Sequence, residues 1–311
     1  MKKVAIVGAG RVGETTAQFL AEQEICQEVV LIDIREDAPQ GVALDILQTS
    51  PFFRFDTRVA GSNDPAAMAG AELVVITAGV PRKPGMSRSD VLETNVAIID
   101  GILDDVMRHA PDARILMVTN PVDVLTWRAW QRTGWSRERV FGQAGVLDAS
   151  RMATFVAMAT GFSIRDITTI VLGGHGDSMV PLPRFCTVNG IPVSHFLDQS
   201  QIRDIIQRTR DGGAEILALR KNSSAYDAPG ASVAAMVDAI AHDRRRLLPC
   251  VAILEGEYGL TDIAMGVPCV LDHRGVRRVV ELELTEEERG WFAESAAAVA
   301  ADIGRLKAES G

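Results

Sequence analysis

Cysteine is scarce in this 311-residue chain: Cys26, Cys186, Cys250 and Cys269 are scattered, and no two form a CxxC pair. Thiols spaced this way point to a reducing compartment and free, mostly buried side chains. The sequence also lacks HExxH and paired CxxC motifs, so no metal is implied. It has no basic tract: 41 acidic against 32 basic residues leave a net charge of −9. That is the wrong sign for general binding to nucleic acid or to an anionic membrane surface. No apolar run reaches the length of a membrane span. Met1-Lys2-Lys3 leads directly into a strand-like segment rather than a targeting peptide, and the cytoplasm is the default expectation. There is no internal repeat or low-complexity stretch. What remains is 47% hydrophobic and 23% charged, long enough for two packed domains.

Val4-Ala5-Ile6-Val7 is a continuous apolar run, the pattern of a strand buried on both faces. Gly8-Ala9-Gly10-Arg11-Val12-Gly13 follows at once, and residues 14–24 read as a helix. GxGxxG between a strand and a helix is a dinucleotide fingerprint. The first glycine makes the tight turn, the second admits a pyrophosphate and the third lets helix and strand pack. The phosphates then meet the helix N-terminus. A second run, Val29-Val30-Leu31-Ile32, ends at Asp33, 20 residues after Gly13. An acidic side chain there bonds the adenosine ribose and repels a 2′-phosphate, so NAD is expected over NADP.

Strand-like segments recur at 57–60, 73–77, 115–119 and 139–141, with a helix expected at 95–109. This alternation predicts a parallel sheet with right-handed crossovers and ligand groups just beyond the strand ends. Two loops stand there. Residues 78–88 hold two prolines, two glycines and the cations Arg82, Lys83 and Arg88, which predicts a loop rather than a helix. It reads either as a lid or as a solvated basic loop. Asn120 offers a donor and an acceptor at the same edge. A turn or cap next to Pro121 explains it equally well.

Gly145 opens an apolar helix that runs to Thr160 and stops at Gly161. Asp148 and Arg151, three apart, share one face. They form either a surface ion pair or a working pair, with the carboxylate aimed at an imidazole and the guanidinium fork at a ligand carboxylate. Farther on, Ile170-Val171-Leu172-Gly173-Gly174-His175-Gly176-Asp177 is a strand ending in a histidine between glycines. The glycines clear space around a ring whose ordinary pKa suits proton transfer; a turn that happens to hold a histidine is the other reading. His109, His195, His242 and His273 fall at helix ends or turns. Asn189-Gly190 signals a hairpin. Helices are expected at 201–220 and 231–241, and strands at 251–255, 265–271 and 276–284. Thr285 and Glu288 form a capping box for a last helix. The fold class is thus α/β: a Rossmann-type doubly wound parallel sheet over 1–143, then an α+β substrate domain with antiparallel ribbons over 144–311.

Taken together, residues 8–13, Asp33, 80–88, 119–123, 147–151 and 173–177 occur in an order and spacing that resemble the lactate/malate dehydrogenase family, most closely its malate dehydrogenases of lactate-dehydrogenase-like type. The resemblance implies an NAD-dependent oxidoreductase that interconverts (S)-malate and oxaloacetate, as a homodimer or homotetramer. It implies that His175 carries the proton and Asp148 orients its ring. Arg151 would grip the substrate's C1 carboxylate, Arg88 would polarise the C2 oxygen from the lid, and Asn120 would touch substrate and nicotinamide ribose. Gly8, Ala9, Gly10, Arg11, Val12, Gly13, Asp33, Thr77, Ala78, Gly79, Asn95, Val118 and Thr119 would line the cofactor groove. Arg82 stands where an arginine pairs with a second carboxylate and a glutamine goes with lactate. An arginine enclosed with a methyl group would stay unpaired and desolvated, at a cost of several kcal/mol. Ala225 would be a small pocket wall. The alternatives are a lactate or other 2-hydroxyacid dehydrogenase, and a non-catalytic NAD-binding sensor. Intact Asp148, Arg151 and His175 count against the sensor.

Overall fold

The computed structural model describes residues 1–80 and 88–309, leaving out the side chains of 88–90 and 309. Nine strands form one sheet. Its parallel part comprises β1 (Lys3–Val7), β2 (Glu28–Ile32), β3 (Arg58–Ser62), β4 (Leu73–Ile76), β5 (Arg114–Met117) and β6 (Val140–Gly142). Their spatial order is β6-β5-β4-β1-β2-β3. The central strands are the most apolar: Val4, Ala5, Ile6, Leu73 through Ile76 and Ile115 through Met117 are fully buried. Helices α1 (Arg11–Glu22), α2 (Ala38–Gln48), α3 (Ser50–Phe53), α4 (Arg88–His109) and α5 (Val122–Thr133) complete the first half. The strand order reverses between β1 and β4, and the C-terminal ends of these two strands meet closely there. A Cβ on Gly8, whose φ is +109°, would lie 2.7 Å from the Ala78 nitrogen. Crevices at such switch points bind ligands.

In the second half α6 (Gly145–Thr160) leads to five two-residue strands: β7 (Ile167–Thr168), β8 (Val171–Leu172), β9 (Val180–Pro181), β10 (Thr187–Val188) and β11 (Ile191–Pro192). The hairpin β10–β11 turns at Asn189 and Gly190, both at positive φ. Then come α7 (Gln199–Arg220), α8 (Asp227–Ala241), the meander β12 (Arg246–Glu255), β13 (Thr261–Asp272) and β14 (Gly275–Val279), and α9 (Glu286–Glu309). A second, smaller core lies under α6, built on Met152, Val156, Met179, Cys186 and Val193. No helix among the described residues is long and apolar enough to cross a membrane.

Besides β14, which ends at Val279 rather than Leu284, three features differ from expectation. The long antiparallel meander does not stand apart in the second half: β12 pairs antiparallel with β6 through Val251 and Gly142, so one sheet runs through both halves. Without that pairing β6 would be an open edge, which proteins cover. The described part of helix α4 already includes Arg88, well before Asn95, so Arg88 lies in a helix rather than in a loop. No proline or glycine falls between Arg88 and Asn95 to oppose it. Strands β12 and β13 begin five and four residues earlier than expected, because the mutual ladder from Arg246↔Leu271 onward satisfies backbone that has little strand signature of its own.

Candidate active site

The phosphate loop is shaped by its glycines. A Cβ on Gly13 would sit 1.9 Å from the Gly8 carbonyl oxygen, so only glycine lets α1 pack against β1. At Gly10 a Cβ would meet nothing within 4 Å. Gly10 is also the N-cap of α1, with no side-chain cap on the helix. An open, uncapped helix N-terminus with room over its glycine fits a pyrophosphate. Ala9 donates its N–H to Asp33 Oδ2 at 2.8 Å, which ties the loop to the end of β2. Arg35 folds back on the same carboxylate, with its backbone N–H at 2.9 Å and Nε at 3.0 Å from Oδ1, and donates to the Ala9 carbonyl. Burial would raise the Asp33 pKa, but the hydrogen bonds from Arg35 and Ala9 outweigh it and hold it below the ordinary value. Asp33 is therefore ionised at neutral pH.

Across the crevice, Thr119 Oγ1 donates to the Ala78 carbonyl at 2.7 Å. The Val118 N–H donates to the Ile76 carbonyl. Asn95 is buried and fully engaged in structure: it accepts from the Val80 N–H at 2.8 Å and donates to the Asn120 carbonyl at 2.8 Å. Asn120 itself is exposed at the end of β5. Val12 is half-buried, and the Arg11 side chain is exposed near Glu14 and the Tyr226 ring. Arg82 lies outside the described residues, as does the side chain of Arg88.

The His175 loop is pinned by three successive amides, each to a different element. Gly173 N–H donates to the Gly266 carbonyl on β13 at 2.9 Å, and Gly174 N–H to Ser295 Oγ on α9 at 2.8 Å. His175 N–H donates to Asp123 Oδ2 on α5 at 2.8 Å. The His175 ring meets α6, with Nδ1 2.9 Å from Asp148 Oδ2. A carboxylate at that distance requires the proton on Nδ1, which leaves Nε2 to exchange a proton. The other oxygen of Asp148 accepts from Arg151 Nη1 at 3.0 Å. The i, i+3 spacing thus gives an ion pair and a shared approach to the imidazole at once. Burial pulls the His175 pKa down. The charge and hydrogen bond of Asp148, with the charge of Asp123, outweigh burial and the opposing Arg151, so the net shift is upward from 6.5.

Arg151 is an incompletely used cation. Its side chain is 11% exposed, and its buried Nε has no hydrogen-bond partner among the described residues. The neighbouring wall is Gly212 and Gly213 of α7: a Cβ on Gly212 would lie 3.1 Å from Arg151 Cδ. A buried guanidinium with a spare donor is matched to an anion. The sequence assigns no role of their own to Asp123, Ser295 or this glycine pair. Only the pair carries a local signal, because two glycines inside a helix each cost roughly 0.5–1 kcal/mol and call for a reason. Asp123 and Ser295 act on backbone far away in sequence, which leaves no pattern.

The arrangement sets an open, uncapped helix N-terminus across from a buried histidine–carboxylate pair and a buried guanidinium with a spare donor. Models of two families match the chain: lactate/malate dehydrogenase, NAD binding domain, over residues 2–142, and lactate/malate dehydrogenase, alpha/beta C-terminal domain, over 145–310. A malate dehydrogenase of Thioalkalivibrio sulfidiphilus is 66% identical, covering 99% of this chain and 100% of its own. One from Nitrosococcus oceani is 60% identical over 98% of each. Among solved structures, the malate dehydrogenase of Salinibacter ruber is 42% identical with a TM-score of 0.94, over 99% of this chain and 100% of that one. The lactate dehydrogenase of Cryptosporidium parvum, with lactic acid and the dinucleotide, is 36% identical with a TM-score of 0.94 over 98% of both.

Proposed function

As the chain belongs to the lactate/malate dehydrogenase family, we propose that it is an NAD-dependent malate dehydrogenase in which residues 1–143 hold the cofactor and 144–311 supply the substrate site. The division is supported by family matches that meet between 142 and 145. The substrate reading is supported by malate dehydrogenases at 57–66% identity that cover nearly the whole chain.

The cofactor groove comprises Gly8 through Gly13, Asp33, Val118 and Thr119, with Asn95 holding its rim and Asn120 between groove and substrate. When bound, the dinucleotide accepts or supplies the hydride that no side chain can carry. Oxidation of the secondary alcohol releases a proton, and His175 Nε2 takes it. In the reverse direction the protonated ring delivers it to the carbonyl oxygen. Asp148 holds Nδ1 and stabilises the imidazolium. Arg151 binds the C1 carboxylate and fixes C2 in place. Arg82 reads the second carboxylate and Arg88 polarises the C2 oxygen. Asp33 selects NAD over NADP. A homodimer or homotetramer is supported by the exposed Leu44, Phe52 and Phe53 on α2 and α3, and a reducing compartment, the cytoplasm, by four free buried cysteines.

The observation that carries this reading is Asp148, buried and bridging His175 and Arg151. NADH oxidation measured against a panel of 2-oxo acids tests it. The highest kcat/KM is expected with oxaloacetate; a higher value with pyruvate would overturn the substrate assignment.

A further inference from the structure

We propose that Arg35 is a specificity-determining residue of the cofactor groove: its guanidinium competes with the adenosine ribose for Asp33, and it pairs with a 2′-phosphate when the ribose carries one. This role rests on the groove being a dinucleotide site. The two carboxylate oxygens of Asp33 offer about four lone-pair sites, and four donors fill them. Oδ1 accepts from the Arg35 backbone N–H at 2.9 Å and from its Nε at 3.0 Å; Oδ2 accepts from the Ala9 N–H at 2.8 Å and from Arg35 Nη2 at 3.1 Å. A ribose diol that donates to this carboxylate must therefore displace donors already there.

The backbone donors are held in place. Asn63, just past the end of β3, donates Nδ2 to the carbonyls of Asp33 and Arg35, each at 2.7 Å. Ala9 lies in the turn between β1 and α1. The guanidinium has more freedom: the Arg35 side chain is 58% exposed, that of Asp33 only 11%. An ion pair so exposed adds little stability and yields to a better donor. Its Nε and Nη2 contacts give way, and they free the two acceptor sites that a 2′,3′-diol uses. Once displaced, the guanidinium is the only cation in Asp33-Ile34-Arg35-Glu36-Asp37. A 2′-phosphate meets repulsion from Asp33, to which Glu36 and Asp37 add. Arg35 alone opposes it, with a fork suited to phosphate oxygens. Asp33 thus sets the preference for NAD, and Arg35 narrows it. Nη2 also donates to the Ala9 carbonyl at 2.9 Å, which would make Arg35 a structural tie to the phosphate loop. Loss of a tie weakens every ligand; loss of a competitor tightens one and weakens the other.

Calorimetric titration of the parent and of Arg35→Ala with ADP-ribose and with 2′-phospho-ADP-ribose tests this without turnover. The parent should bind both probes, ADP-ribose more tightly. In Arg35→Ala, ADP-ribose should bind about two- to fivefold more tightly, because an exposed competing ion pair is gone. The phosphorylated probe should bind about tenfold more weakly, because a charge-assisted pair is lost. Arg35→Lys, which keeps the charge without the fork, should fall between parent and alanine variant for the phosphorylated probe. Changes of equal size and sign for the two probes, an unchanged ratio, or a parent that binds ADP-ribose but not its 2′-phosphate overturn the proposal. A parent that binds neither ADP-ribose nor NADH overturns the dinucleotide reading itself. A parent that binds ADP-ribose, beside an Arg35→Ala variant with an unchanged ratio, removes only the role of Arg35.

Discussion

Gly212 and Gly213 stand side by side in α7, yet substitution by alanine is expected to affect them differently. Alanine in a helix interior is favoured over glycine by roughly 0.5–1 kcal/mol. At Gly213 the new Cβ would come no closer than 3.7 Å to Arg151, ordinary van der Waals contact, so Gly213→Ala should keep that gain. At Gly212 it would sit 3.1 Å from Arg151 Cδ and 3.6 Å from Nε. The arginine must give by a few tenths of an ångström, which disturbs its pairing with Asp148 and its proposed grip on the substrate carboxylate. Hydrogen bonds between a guanidinium and a carboxylate are each worth about 1.5–3 kcal/mol. Spoiling one of them partway should cost about 1–2 kcal/mol, or roughly 5–30-fold in kcat/KM for oxaloacetate. Thermal melts with steady-state assays at saturating NADH would read both effects. Gly212→Ala should melt within a few degrees of the parent yet lose specificity constant; Gly213→Ala should match or exceed the parent in both. If Gly212→Ala keeps kcat/KM within twofold, or if the two variants fall together, the glycine does not make room for Arg151.

Three further substitutions probe the site. Asp148→Asn removes the charge that raises the His175 pKa. Turnover should fall by about 10²–10⁴, and the alkaline limb of oxaloacetate reduction should shift to lower pH because the imidazole then loses its proton sooner. An unmoved limb in the pH–rate profile contradicts the pairing. Asp33→Ser should lower the NADH/NADPH preference by about tenfold or more, since it removes the repulsion and frees Arg35, now folded on Asp33, to meet a 2′-phosphate. Equal kcat/KM for both cofactors in the parent enzyme would show that Asp33 does not discriminate. Arg82→Gln should move the oxaloacetate/pyruvate ratio toward pyruvate by at least about tenfold; an unchanged ratio excludes Arg82 as the reader of the second carboxylate.

Much of the fold was legible where the signal is local. The apolar runs at 4–7, 29–32 and 73–76 are central strands, Gly145 through Thr160 is a helix ended by Gly161, and Thr285 with Glu288 forms the capping box. The spacing of Asp148 and Arg151 put them on one face, where they are paired. What was not legible depends on contacts distant in sequence. The union of β6 with β12 joins residues 109 apart through a single pair, Val251 and Gly142. Asp123 meets the His175 amide across 52 residues. Neither has periodicity, so only the folded chain displays them. The first turns of α4, from Arg88 to Asn95, were missed because the prolines and glycines up to Gly85 suggested a loop over the whole stretch.

The shared sheet also bears on how such enzymes can be recombined. The proposed division of tasks between two halves invites exchange between relatives, with a cut at residue 143. That cut would run beside the seam where β6 and β12 interlock. A side chain at Gly142 would collide with Thr126 Oγ1 at 2.5 Å and with Val251 Cβ at 3.0 Å, so the seam tolerates little mismatch. A chimaera that takes β12 from one parent and β6 from another must match this contact or leave two strand edges open to intermolecular pairing. Crossovers that carry β6 and β12 together should preserve folding, and the unit of inheritance is then the sheet rather than the domain.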